Sequence, residues 1–363
     1  MLGTARILFG QGEQAQIVHA SVELCKAFGK GAQGKFVNAV LRNLVRQREQ
    51  IPWPDRKKDL IGFFSTKYSW PKFAVEQAIL LLGEEQAEQF LSCRLPQPVT
   101  IRINPQRFSQ SETPEEFFDR LGIRAKKQAA DDRAYALKNV EDVPAMDAYQ
   151  QGMFSLQGLA SMIAARQAIC KEGIILDVCA APGGKTCYLA EACPQANIYA
   201  FDLHPHRVAL LQAQAKRLGL KNIKSSQHDA TQPLTEFENK ADCVLVDAPC
   251  TGLGTACHRP DVKWNKKEQD AIELSKVQKK ILDNASHTVK IGGKLIYCTC
   301  TFTKTENENV VSDFLEHHPE FTLSPVHIPQ EMNIKPDSNG MLRLWPHIHH
   351  TDGFFICVME RMS

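Results

Sequence analysis

Two cysteines stand just after apolar runs that read as β-strands: Cys250 in Val246-Asp-Ala-Pro-Cys-Thr-Gly-Leu-Gly254, and Cys300 in Tyr297-Cys-Thr-Cys-Thr-Phe302. A soft nucleophile at the mouth of a sheet suits one reaction in particular. The C5 atom of a pyrimidine is too electron-poor to attack a methyl donor, but a thiolate added at C6 makes C5 enamine-like and able to take a methyl group. A carboxyl group near N3, which Asp247 can supply, stabilises the charge that develops in the ring. The thiol must later leave while a base removes the C5 proton, and two cysteines at neighbouring strand ends can divide these tasks. Cys25, Cys93, Cys170, Cys187, Cys193, Cys243 and Cys357 read instead as small buried fillers.

A donor site is needed beside them. Leu176-Asp-Val-Cys-Ala-Ala-Pro-Gly-Gly-Lys-Thr186 runs from a strand into small residues and two glycines. Such a loop lets a ligand approach the backbone, and the helix that follows offers free N–H groups. It lacks the G-x-G-x-x-G of a dinucleotide site. Gly184-Lys185-Thr186 fits the end of a phosphate-binding P-loop, but Cys179 stands where the leading glycine belongs. Asp202 ends the next strand, 25 positions after Asp177, where it can accept both ribose hydroxyl protons of an adenosine. Asp229 follows the run 223–227 and can hold the adenine amino group.

The elements that must place these residues alternate. Apolar runs at 174–178, 198–201, 243–246 and 294–297 each end in a polar or glycine-rich turn, with helical segments at 205–218 and 269–289 between them. That pattern predicts an α/β fold: a parallel sheet with helices on both faces and its ligands at the carboxyl ends of the strands. Upstream, 14–28 and 35–47 read as helices, the second with Phe36, Val40, Leu41 and Leu44 on one face. Pro52-Trp-Pro54 stops it and opens a charged linker. A helical stretch covers 70–93 and ends before Pro96 and Pro98. Strands are expected at 99–103 and 133–137, with a helix at 114–121 capped by Thr113.

Composition bounds the rest. The chain has 363 residues, 43% hydrophobic and 23% charged, which excludes a disordered tail, a collagen-like chain and a small disulfide scaffold. Net charge is only +2, but residues 1–60 carry ten Lys/Arg against five Asp/Glu, a local basic patch suited to an acidic partner such as nucleic acid. The longest apolar run, 78–82, is too short to span a bilayer, and the N-terminus has no signal-peptide core. Twelve cysteines without an export signal point to reduced thiols and a cytoplasmic protein, and none forms the C-x-x-C pair of a zinc site. His347-x-His349-His350 lacks partners at ligand spacing, so no metal is expected there. Arg259, Lys263, Lys266 and Lys267 around Trp264 suit phosphate contacts and base stacking, with packing an equal reading for the tryptophan.

Taken together, residues 177–186, Asp247-Ala-Pro-Cys250, Arg259-Pro-Asp-Val-Lys-Trp264, Gly292-Gly-Lys-Leu-Ile-Tyr-Cys-Thr-Cys300, Glu306-Asn-Glu308 and the closing Asp352-Gly-Phe-Phe355 resemble the Fmu/Sun (RsmB-like) family of RNA cytosine-5 methyltransferases. The resemblance implies a Rossmann-like class I methyltransferase sheet over 151–363, with a late antiparallel strand. A helical linker and small α/β RNA-binding subdomain would occupy 61–150, and a partial NusB-like helical segment 1–60. It implies S-adenosyl-L-methionine as donor. Cys179, Ala180, Ala181, Pro182, Gly183, Gly184 and Lys185 match the family's cofactor loop, Asp202 the ribose acid, Asp229 the adenine-side acid and Asp247 the acid beside the target base. It makes Cys300 the nucleophile and Cys250 the residue that assists release, with Lys185 and Asp247 also catalytic. The implied partner is structured RNA, small-subunit ribosomal RNA first and transfer RNA second, met by a monomer. Other classes remain to be weighed: a P-loop nucleotide hydrolase using Lys185 and Asp247, or a non-catalytic ribosome-assembly protein. One departure stands out: the family's Gln-Asp pair before the core is Gln157-Gly158 here.

Overall fold

The computed structural model describes residues 1–94, 99–108, 112–332, 334 and 340–363. The chain divides into two compact units, 1–66 and 67–363. The first contains helices Leu2–Phe9, Gln14–Ala27 and Gly34–Gln47. Ile7, Ile17, Val18 and Leu41 form its core, with Val37, Leu44 and Val45 packed against them. The inner stripe of the third helix is therefore 37, 41, 44 and 45. Phe36 and Val40, expected on that face, are exposed, because each lies one residue, roughly 100° of helix turn, away from the stripe.

Helices Leu60–Tyr68 and Lys72–Ser92 come next. The second breaks at Gly83, whose φ of 73° no helix residue adopts. The stop expected from Pro96 and Pro98 falls outside the described residues.

A small antiparallel sheet opens the second unit's mixed region: β1 (Val99–Ile103), β2 (Arg124–Lys127), β3 (Ala134–Lys138) and β4 (Phe154–Leu156), in the order β2-β3-β1-β4. Helix Pro114–Arg120 packs on it through Phe117 and Phe118, beside Ile101, Leu137 and Phe154. Its start is capped as expected: Thr113 Oγ1 accepts from the Glu116 N–H at 3.2 Å, and the Glu116 carboxylate accepts from the Thr113 N–H at 2.8 Å.

The large sheet comprises β5 (Glu172–Asp177), β6 (Gln195–Asp202), β7 (Ile223–Gln227), β8 (Ala241–Asp247), β9 (Val289–Thr299), β10 (Phe321–Ser324), β11 (Leu342–Leu344) and β12 (Phe354–Arg361). Its order is β10-β12-β9-β8-β5-β6-β7, with β11 also paired to β12. β5 to β9 pair in parallel, and β12 enters antiparallel to β9 and β10. Both faces are buried. Along β9, Ile296 and Cys298 join one core while Leu295 and Tyr297 join the other. A strand covered on both sides reads as a continuous apolar run, which is why these strands were visible in the sequence.

Two loops meet at their backbones beside Cys300. The Gly254 N–H donates to the Cys300 carbonyl at 3.0 Å, and the Gly353 N–H donates to the Gly254 carbonyl at 2.9 Å. A Cβ on Gly254 would lie 2.0 Å from the Gly353 oxygen, so only glycine permits this approach. Among the described residues, no helix is long and apolar enough to cross a membrane.

Candidate active site

β6 and β8 each run two residues past the end of β5, and the loops at these strand ends enclose a cleft of about 340 Å³. Cys179 and Ala181 line it after β5, Asp202 after β6, Asp229 after β7, Asp247 and Cys250 after β8, and Cys300 after β9. Ala180, Pro182, Gly183 and Gly184 stand outside that lining and shape the loop. Gly183 has a φ of 105° and donates its N–H to the Ala180 carbonyl at 2.9 Å. An added Cβ there would meet Leu211 at 3.0 Å. The helix Gly184–Ala192 begins at once, its first turn free of capping side chains.

The loop is braced by carboxylates. Asp177 is buried, and its Oδ2 accepts from Thr186 Oγ1 at 2.7 Å, while Oδ1 has no hydrogen-bond partner among the described residues. Burial pushes this carboxyl up to about 7. Asp202 accepts from the Ala181 and His204 N–H groups, each at 3.2 Å. Arg207 lies 3.4 Å from Asp202 and donates to the Ala181 carbonyl at 2.6 Å. Thr231 gives Asp229 both its N–H (2.9 Å) and its hydroxyl (2.8 Å), bonds that hold the carboxyl below its usual range.

Lys185 turns away from the loop. Its Nζ pairs with Asp247 Oδ2 at 2.7 Å. Burial opposes the charge, but Asp247 more than offsets this, and the ammonium holds its proton more tightly than free lysine. Asp247 lines the cleft, whereas Lys185 stands behind it, outside the lining.

Cys250 Sγ and Cys300 Sγ are 3.4 Å apart, although fifty residues separate them in sequence. Either thiol can donate across this contact; the contact brings the Cys300 thiol below its ordinary range despite burial, with Asp247 opposing the shift and Lys185 adding to it. The same contact, together with burial, holds the Cys250 thiol well up. When the Cys300 sulfur is a thiolate, the Cys250 S–H is the group placed to donate to it.

Several residues here were missed by sequence reasoning. Arg102, on β1 and fully buried, donates to Glu191 at 2.8 and 3.0 Å, to Gln157 and to the Gly184 carbonyl at 3.2 Å. It bolts the small sheet to the glycine loop. The signal was a lone arginine inside an apolar alternation. At Gly158, where the family's aspartate is absent, an added Cβ would stand 3.4 Å from Asp352 Oδ2. Asp352 also pairs with His258 at 3.0 Å. Trp264 is 60% exposed, and its Nε1 donates to Ser69 Oγ at 2.9 Å. His347 and His349 bond to Gln86 (3.2 Å) and the Trp345 N–H (2.7 Å).

Comparison with known proteins adds to this geometry. A family model described as 16S rRNA methyltransferase RsmB/F matches residues 167–360, and a NusB family model matches 1–46. The chain is 36% identical over 353 residues to the "Probable ribosomal RNA small subunit methyltransferase B" of Bacillus subtilis (strain 168), a match covering 95% of this chain and 77% of that one. It is 31% identical over 347 residues to the 28S rRNA (cytosine(4447)-C(5))-methyltransferase of Homo sapiens, covering 89% of this chain and 42% of that one. The crystal structure of PH0851 superposes with a TM-score of 0.82 at 29% identity, over 99% of this chain and 80% of the other.

Proposed function

The chain belongs to the RsmB/F family of 16S rRNA methyltransferases, and from that premise we propose that it methylates C5 of a cytosine in small-subunit ribosomal RNA, with S-adenosylmethionine as donor. The observation that carries the chemistry is the 3.4 Å approach of Cys250 and Cys300 in the cleft that also holds Asp202, Asp229 and Asp247. On this reading the enzyme works as a monomer in the cytoplasm. The RNA is gripped by the basic residues of 1–60 and the small sheet, while Trp264 offers a stacking face near the cleft. The nucleotide-hydrolase reading falls away, since the chain belongs to a methyltransferase family.

The donor set fits the cofactor. Asp202 would take the ribose hydroxyls and Asp229 the adenine edge. The backbone of 179–184 would admit the amino-acid part without side-chain obstruction. When bound, the sulfonium supplies an electrophilic methyl group. The chain's own residues do the rest. Cys300, as thiolate, adds to C6 of an extruded cytosine, forming an S–C bond and moving the C5=C6 electron pair toward C5. Asp247, held by Lys185, accepts from the exocyclic amino group of the cytosine and so fixes the ring's orientation. After C5 takes the methyl group, loss of the C5 proton to a base returns the electron pair to C5=C6 and expels the Cys300 thiolate. The Cys250 S–H, donating to that sulfur, stabilises it as it leaves.

Incubation with labelled S-adenosylmethionine and 16S rRNA lacking its modifications should place label in 5-methylcytosine at a discrete position; absence of label in 16S rRNA would overturn the proposal. Asp202→Asn should weaken S-adenosylhomocysteine binding about tenfold to a hundredfold, the loss expected for hydrogen bonds to a charged group, measured by titration calorimetry with no RNA present.

A further inference from the structure

The sulfur pair needs a device to hold it, because the two cysteines lie on separate loops. Cys250 follows β8 and Cys300 follows β9, and each is followed by a threonine. Both threonines lead to one buried carboxylate, that of Glu306, which is 0% exposed.

Thr251 gives Glu306 both of its protons, the N–H to Oε1 at 2.7 Å and the hydroxyl to Oε2 at 2.7 Å. With its hydroxyl proton spent, Thr251 Oγ1 can only accept from Thr301 Oγ1, 2.8 Å away. A directed chain therefore runs from the residue after Cys300, through the residue after Cys250, to the carboxylate. Thr303 donates to Oε2 at 2.8 Å from the Cys300 loop. Gln278, on the helix Glu268–Ser286, divides its two amide hydrogens between Oε1 (3.3 Å) and the carbonyl of Pro249 (2.9 Å). Cys250 is thus gripped at the residues on either side of it.

Glu306 is itself pinned. Its carbonyl accepts from the Tyr297 hydroxyl of β9 at 2.6 Å. The adjacent Asn307 accepts from the Thr299 hydroxyl at 2.6 Å and donates to the Thr301 carbonyl at 3.1 Å, so it holds the residues flanking Cys300. Glu306 thus ties the Cys250 loop to the Cys300 loop, while Asn307 holds the residues on either side of Cys300.

Resting on the function proposed above, we propose that Glu306 is a positioning residue for product release: its carboxylate holds the Cys250 loop so that the Cys250 thiol stays on the Cys300 sulfur. It touches neither RNA nor cofactor. Adduct formation needs only the Cys300 loop, which keeps its bonds to Asn307 and its continuity with β9 when the Glu306 carboxylate is changed. Release needs the second loop in register.

Glu306→Gln puts an amide donor where the Thr251 donors need an acceptor, and leaves at least one of them unmet. In single-turnover reactions with labelled RNA and S-adenosylmethionine, resolved on denaturing gels, this variant should form the covalent RNA–protein band within about threefold of the wild-type rate. It should release that band about tenfold or more slowly, the scale of one lost charge-assisted hydrogen bond. Thr251→Val, which removes only the hydroxyl link, should slow release in the same direction, and Thr251→Ser, which keeps both donors, should restore it. If Glu306→Gln does not fold, the threonine pair decides. Release at the wild-type rate in Glu306→Gln, or in Thr251→Val where Glu306→Gln does not fold, would overturn the inference. So would loss of formation and release in equal proportion. Absence of any adduct in the wild-type enzyme would instead sink the underlying mechanism, so the two failures are distinguishable.

Discussion

Cys300→Ala should abolish turnover, lowering kcat by at least about a thousandfold, because removing a nucleophile eliminates the covalent route itself. The physical basis is the environment of that sulfur. Cys300 Sγ lies 3.4 Å from Cys250 Sγ, and that contact, with Lys185 adding to it and Asp247 opposing it, brings the Cys300 thiol below its ordinary range. The variant should still bind S-adenosylhomocysteine normally, since the cofactor carboxylates Asp202 and Asp229 reach the cleft from other strands. Methyl incorporation from labelled donor, read beside calorimetric binding, separates lost chemistry from lost fold. Formation of a stable RNA adduct by this variant, but not by the Cys250 variant, would reverse the two roles.

The second expectation is the opposite kind of failure. Cys250→Ala should form the bond between sulfur and C6, transfer methyl once, and then stall with protein and RNA joined. Removing Cys250 deletes the proton donor that stabilises the departing thiolate, while the nucleophile and its ion-paired neighbours Lys185 and Asp247 stay in place. A band of combined mass should survive denaturation and build up to stoichiometric yield, whereas the wild-type enzyme shows it only transiently. A Cys250→Ala enzyme that turned over freely would remove the sulfur contact from the mechanism.

How much of this was legible in the sequence depended on burial. β5, β6, β8 and β9 are covered on both faces, so each appears as an apolar run with its functional residue directly after it. The glycine loop, Asp202, Asp247 and both cysteines were found that way. β2 was not, because its Arg-Ala-Lys-Lys sequence lies at an edge with little to bury. Helix Leu159–Arg166 escaped notice because its alanine-rich face carries little periodic contrast. On Gly34–Gln47, Leu41 and Leu44 face the core as expected, but Phe36 and Val40 are apolar yet exposed. Contacts across long separations had no local signature at all. Nothing near residue 102 announces Glu191, and nothing in the Glu306-Asn307 dipeptide announces that it joins two loops.

The meeting of Gly254 with Gly353 bears on when this enzyme comes into being. The loop that carries Cys250 is clasped by residues that lead into β12, and β12 lies between β9 and β10 rather than at a rim. A polypeptide emerging from the ribosome can therefore display its glycine loop and both thiols long before they are in working order. The clasp on the Cys250 loop and the pairing of β9 with β12 form only after translation has carried the chain through residue 361.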